Sequence, residues 1–323
     1  MKNKYWVMRI LRTIITAFGV TLIAFLILHL TPGDPARIML GPYASEENLA
    51  AVRAKYKLDQ PLYTQYISWM GNVFKGDFGT SIRYNRDVGQ LIAERAGPTL
   101  ILTGSGLLIA VIFGVLLGIL AALKRNSFLD YFTTFQAMFW ISIPSFWLGI
   151  LLLYIFGLQL RWVPIAGLMG FSSLILPALS IGLREEAWFA RPMRSEMLEV
   201  LNQDYIKAAK AKGLKYSVVV MKHALRNALI PIVTMLALRL PWIIGGAVVI
   251  EVVFSWGGLG SLLVNSVLAR DYPVVQSILL LISITVVLAN LLADIIYAVV
   301  DPRIKGEGWI WLIAKIIMKL LMI

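Results

Sequence analysis

Five ionisable residues stand in stretches that are otherwise apolar: Arg184, Glu185, Glu186, Arg239 and Asp294. A charge near the centre of a membrane-crossing helix costs at least about 2.5 kcal/mol on insertion scales, so such residues face a bundle interior or water. An arginine there can take a carboxylate, and a glutamate can take an amine or a cation. Arg184, Glu185, Glu186 and Arg239 therefore read as a lining for a polar solute. The other reading is mutual neutralisation, with Arg184 or Arg239 pairing to a glutamate at a packing site, or Arg184 to Glu186 lying near the inner interface. Asp294 reads as structural. The chain has no cysteine, which excludes disulfides, thiol nucleophiles and Cys-ligated metals. Its two histidines, His29 and His223, lie far apart. No nucleophile sits with a base, so no enzyme is expected. His29 reads as a packing or interface residue rather than a metal ligand.

A second group of residues can do mechanical rather than covalent work. Asp204 can cap a helix start, Lys207-Ala208-Ala209-Lys210-Ala211-Lys212 continues it, and Gly213 permits the positive φ that ends a helix sharply. A second helical stretch, Tyr216 to Leu229, is expected to end near Pro231. The alanines are small enough for this helix to press into a groove. Short helix, hard turn and second helix can pass force from a cytoplasmic partner to the next span. An interfacial helix with lysines on anionic headgroups is the alternative.

These residues must be positioned by membrane elements. The 323-residue chain is 59% hydrophobic, with a mean hydropathy of +0.77. A soluble domain would be far less apolar. A span needs about 20 apolar residues, and six segments qualify: 9–30, 98–123, 130–157, 172–190, 227–250 and 273–299. The fourth is interrupted by Arg184, Glu185 and Glu186. The first is too long for a signal-peptide core and has no small-x-small cleavage pattern. The net charge of +12 fits basic residues gathered on the cytoplasmic side, not nucleic-acid binding. Lys124, Arg125, Arg191, Arg194 and the lysines of 207–222 fall on the side of the N-terminus, so both termini are expected inside. The outer loop 31–97 should be a folded cap anchored by Tyr56, Leu58, Leu62, Tyr66, Trp69 and Phe74, and closed by a Gly76-Asp77-Phe78-Gly79 turn. Gly106, Ala110, Gly114, Gly118 and Ala122 form a small-residue stripe suited to a tight bundle or a dimer seam.

Several motifs together resemble a known family. Gln203-Asp204-Tyr205-Ile206-Lys207-Ala208-Ala209-Lys210-Ala211-Lys212-Gly213 and His223-Ala224-Leu225-Arg226-Asn227-Ala228-Leu229-Ile230-Pro231 resemble the EAA loop of ABC importer permeases of the dipeptide, oligopeptide and nickel group. Lys207 stands where that motif has its glutamate. Thr31-Pro32-Gly33-Asp34-Pro35, Leu58-Asp59-Gln60-Pro61-Leu62, Gly76-Asp77-Phe78-Gly79-Thr80-Ser81, Ser142-Ile143-Pro144-Ser145-Phe146-Trp147, Glu251-Val252-Val253-Phe254-Ser255-Trp256-Gly257-Gly258-Leu259-Gly260, Asp271-Tyr272-Pro273 and Asp301-Pro302-Arg303 agree with it in order. The resemblance covers about residues 1–305.

It implies an all-α, polytopic transmembrane helical bundle of the type I ABC importer (MetI-like) kind. The expected organisation is a first helix to residue 30, the cap at 31–97, a permease domain at 98–305 with a coupling loop at 191–226, and an interfacial C-terminal helix at 306–323. It further implies a second homologous permease, two cytoplasmic ATP-binding subunits that hold ATP and Mg, an extracytoplasmic substrate-binding protein and surrounding lipid, in a bacterial plasma membrane. The coupling loop would be Asp204, Ala208, Ala209, Gly213 and Leu214. The chain has no G-x-x-x-x-G-K-[S/T], in keeping with energy drawn from a partner. Arg184, Glu185, Glu186 and Arg239 depart from the family pattern and read as marks of this member's cargo or gate. Peptides are the expected cargo, with nickel or another small solute as the alternative. A secondary transporter is disfavoured because the spans show no internal repeat. The tail from Trp309 to Ile323 reaches about 22 Å as a helix, short of the hydrocarbon core.

Overall fold

The computed structural model describes residues 14–16, 18–23, 25–26, 35–41, 43–56, 58–167 and 169–300. His29, Thr31 to Asp34, Asp301 to Arg303 and the tail 306–323 lie outside the described residues. The chain divides into two units. One takes the described residues up to Thr99 together with Gly257–Val287, and the other takes Leu100–Trp256 and the chain from Leu288 on.

In the first unit, the segment expected as a cap carries the helices Pro35–Leu40, Glu46–Tyr56 and Leu62–Phe74. Its anchor is Tyr66. The phenol shares a 2.8 Å hydrogen bond with the Thr21 hydroxyl, and its ring meets Phe18 and Phe25 edge-on at 5.6 and 5.3 Å. Leu62 and Phe74, expected as anchors, are exposed instead. The glycine turn forms as the sequence suggests, with φ of +81° at Gly76 and +82° at Gly79, and the Asp77 carboxylate accepts from the Gly79 amide at 2.9 Å.

The next helix runs Val88–Leu123, ten residues earlier than the apolar run that starts at 98. Asp87 starts it by accepting from the Gln90 amide at 2.8 Å, the geometry of an N-cap. Glu94 and Arg95 kept these turns out of a hydropathy-based span. The Arg95 guanidinium donates to the Gly257 carbonyl, and the Thr99 hydroxyl accepts from the Leu259 amide, both at 2.8 Å. These bonds tie the helix to the short helix Leu259–Leu268. Val88, Leu91, Leu262, Val274 and Ile278 form the unit's core.

In the second unit, the expected third span is two helices, Phe128–Ser142 and Ser145–Leu152, the latter widening into a π turn at Leu153–Gln159. They meet at 99°. Pro144 has no N–H to donate, and its ring pushes Ile143 into extended backbone, φ −90° and ψ 126°. The helix Phe171–Leu201 follows and outlasts the expected fourth span by eleven residues. Gly213 ends a short helix, Asp204–Ala211. The chain then re-enters a helix at Tyr216, widens to a π turn over Val219–Ala224 and continues as Leu225–Val253. Pro231 lies inside this helix rather than ending it.

The small-residue stripe is an intrachain seam. A Cβ on Gly114 would stand 2.6 Å from the Phe189 Cβ and 2.8 Å from the Glu186 carbonyl oxygen. One on Gly118 would stand 2.6 Å from the Ala190 carbonyl. The Val88–Leu123 and Phe171–Leu201 helices thus approach backbone to backbone along residues 106–118.

Among the described residues, Val88–Leu123, Tyr216–Arg239 and Tyr272–Ala293 are long and apolar enough to cross a membrane, and the bent pair is a fourth candidate. Phe171–Leu201 falls outside that set because Arg184, Glu185 and Glu186 crowd its apolar half.

Candidate functional site

Asp204 is the first residue of its helix rather than the cap. The cap position is Gln203 in extended backbone, with no side-chain bond. The Asp204 carboxylate accepts from Lys207 Nζ at 2.8 Å, and both groups are exposed. Such a pair contributes little. An acid in the first turn still favours the helix dipole.

The two alanines have different surroundings. Ala209 is buried with Ile206 in a cluster that includes Phe189, Met193, Met197, Val219, Val220 and Ala224. Ala208 faces outward. Gly213 has φ +76°, and a Cβ there would meet nothing within 4 Å, so only its backbone conformation demands glycine. Leu214, Tyr205 and Tyr216 are exposed. Asn227 was not foreseen. Its amide donates to the Tyr205 hydroxyl at 2.9 Å and to the His223 carbonyl at 3.1 Å, fixing the short helix to the next one. The result is a helix seated in the bundle on one side and bare on the other.

The charged residues of the Phe171–Leu201 and Leu225–Val253 helices meet. Arg239 donates to Glu185 Oε2 through Nη2 at 2.6 Å and Nε at 3.1 Å. Its guanidinium lies 4.1 Å from the centroid of Trp188. Arg184 Nη1 reaches Glu185 Oε1 at 3.3 Å, and its side chain remains 38% exposed. Glu186 does not join them. It is 1% exposed and accepts from the Gln136 amide at 2.8 Å. Neutralisation within the bundle is thus the arrangement of Arg239 and Glu185.

Trp188 also borders a cavity of ≈ 550 Å³. Its apolar walls include Ile141, Trp188, Met235 and Pro192, with Thr134, Arg191, Arg194 and Ser195 as polar lining. Arg194 is committed to Asp130 through two bonds, Nε to Oδ1 at 2.5 Å and Nη2 to Oδ2 at 2.8 Å. The Asn126 amide donates to the same carboxylate at 2.9 Å. Arg191 makes no ion pair among the described residues. The basic-residue pattern had placed Arg191 and Arg194 in an inner loop. The missed signal is the helical spacing of Trp188, Arg191 and Ser195, which puts them on one face. Among the described residues, no three His, Asp or Glu side chains converge as a metal site.

Comparisons with known proteins agree with this architecture. The chain belongs to the family described as binding-protein-dependent transport system inner membrane component, whose profile matches residues 114–306, while the profile of its N-terminal part matches residues 2–103. Glutathione transport system permease protein GsiC of Escherichia coli (strain K12) is 44% identical over 301 residues, covering 93% of this chain and 98% of that protein. A Brucella suis biovar 1 (strain 1330) protein named as a peptide permease is 43% identical over 315 residues, covering 94% and 99%. Among solved structures, the inward-facing MetNI methionine ABC transporter aligns with a TM-score of 0.54 at 21% identity, over 66% of this chain and 97% of that one. An amino acid ABC transporter with histidines aligns at 0.52 and 15% identity, over 64% and 93%. The fold is the MetI-like permease fold. The chain is a membrane permease component of an ABC importer, not an enzyme.

Proposed function

We propose that this chain is one of two related permease subunits of an ATP-driven importer of small peptides. The relatives named for glutathione and for peptides support that cargo. The observation that carries the reading is the helix Asp204–Ala211 with its Gly213 turn. Ile206 and Ala209 root it in the bundle core, while Ala208 and Leu214 are left bare for a partner. Residues Asp204, Ala208, Ala209, Gly213 and Leu214 form the contact with a cytoplasmic ATP-binding subunit.

The assembly comprises this chain, a second homologous permease, two ATP-binding subunits that hold ATP and Mg, and an extracytoplasmic binding protein received by the cap. Both termini are cytoplasmic, and the chain is organised as a first helix, the cap, the five-helix permease domain and an interfacial C-terminal helix. Closure of the ATP-binding subunits draws the coupling helices together, and the bundle opens outward to the docked binding protein. Arg184, Glu185 and Arg239 border the polar route, with Glu186 behind them on Gln136. The Glu185 carboxylate offsets one of these two guanidiniums, so the border keeps a net positive charge when no cargo is present.

The test is uptake of a labelled di- or tripeptide into vesicles that hold the whole complex with its loaded binding protein. Uptake is expected to require ATP and the ATP-binding subunits. Uptake that persists without them refutes the reading.

A further inference from the structure

We infer that the cavity around Arg191 is a cargo subsite that takes a carboxylate, with an apolar or aromatic side chain laid against Trp188. The inference rests on the importer reading and gives its route a specificity residue.

The argument is one of charge and shape. The cavity's ≈ 550 Å³ falls within the range of about 300–1,000 Å³ usual for small-ligand sites. Its lining carries two cations, Arg191 and Arg194. The charge of Arg194 is balanced by Asp130, which is buried and holds it through two bonds. Arg191 is exposed and makes no ion pair among the described residues, so its guanidinium is available to an anion that enters the cavity. A guanidinium presents paired donors that match a carboxylate, and the Ser195 hydroxyl borders the same space. Of the remaining walls, Ile141, Trp188, Pro192 and Met235 are apolar, and the Thr134 hydroxyl is turned to the Asp130 carbonyl at 3.1 Å. A site with one basic end and apolar walls fits a molecule with one anionic end and an apolar body. A peptide's C-terminal carboxylate and its last side chain have that form.

The cavity also touches the charged cluster. Trp188 lines the cavity and is stacked by Arg239, which is bonded to Glu185. The cavity and the Arg239–Glu185 pair thus share Trp188 as a common wall.

The experiment is photoaffinity labelling of the purified full complex in nanodiscs, without the binding protein, using a photoreactive tripeptide as free acid and as C-terminal amide. Labelled segments are mapped by mass spectrometry. The free acid is expected to label residues 187–195 about tenfold better than the amide, the scale of one charge-assisted hydrogen bond. Arg191→Gln should abolish that preference and Arg191→Lys should retain most of it, with Trp188→Leu lowering labelling by both probes. Equal labelling by acid and amide, or labelling elsewhere, overturns the inference. So does protection by phosphatidylglycerol with no competition from free acid, which would make the site a lipid site. The importer reading fails separately, through loss of ATP-dependent uptake by the unmodified complex.

Discussion

Arg239 is held from two sides at once: its guanidinium bonds Glu185 at 2.6 Å and stacks 4.1 Å from the centroid of Trp188. Removing one member of a buried pair strands the other and costs about 3–5 kcal/mol. Glu185→Leu is therefore expected to lower the thermal midpoint of the detergent-purified complex sharply. Arg239→Met added to Glu185→Leu should recover most of the loss. A double variant no more stable than the single one would show that the pair is not coupled.

Gly114 has no room for a side chain beside Phe189 and Glu186. Gly114→Leu is expected to cost about 1–3 kcal/mol or more through overpacking, read as a lower melting temperature and reduced expression. Gly104 has nothing within 4 Å of an added Cβ, so Gly104→Ala should be neutral or slightly stabilising. Equal effects at the two positions would refute the intrachain seam.

Gly213 differs from both, because the space around it is empty and only its φ of +76° is special. A non-glycine residue in left-handed backbone costs about 1–2 kcal/mol. Gly213→Val should leave the bundle folded while distorting the turn proposed to meet the ATP-binding subunit. ATP hydrolysis by the complex should continue as peptide uptake per ATP falls. Unchanged coupling in this variant would count against the assignment of the loop.

Asp271 is fully buried and accepts from the Ser81 hydroxyl at 2.5 Å and from the backbone amides of Ile82 and Arg83, each at 3.1 Å. One carboxylate pins the loop that follows the glycine turn. Asp271→Ala orphans these donors, at about 1–3 kcal/mol for an unsatisfied buried group. Limited proteolysis should then cut within residues 80–87, where the parent protein resists. Identical digestion patterns would remove Asp271 from this role.

Local patterns in the sequence foretold local structure well. Gly213 adopts the positive φ expected of it and Gly76 opens the expected turn, because a single residue's freedom decides a turn. The EAA-type loop was legible through closely spaced residues, and its helix forms where expected. Long-range pairing was not legible. Nothing in the sequence near Asp271 announces Ser81, 190 positions away, and nothing near Arg194 announces Asp130. Hydropathy placed Arg191 outside the fourth span because charge ends an apolar run, whereas the helix continues to Leu201 on the packing of Met193 and Met197. The stripe at Gly106 to Ala122 identified a close contact, but its partner helix came only from the structure.

The break at Pro144 has a consequence for the bilayer itself. A continuous helix satisfies its own backbone, while a bend of 99° interrupts that pairing in the middle of an apolar segment. Pro144 offers no donor, and the Ile143 amide reaches only back to the Trp140 carbonyl, at 3.3 Å. Hydrocarbon supplies no substitute partners, and such backbone persists at membrane depth only where protein covers it or solvent reaches it. Ile141, three residues before the proline, lines the cavity of Arg191. If the bent pair crosses the bilayer, the bend is expected to face protein or water rather than acyl chains, on the side of the bundle that carries the cavity.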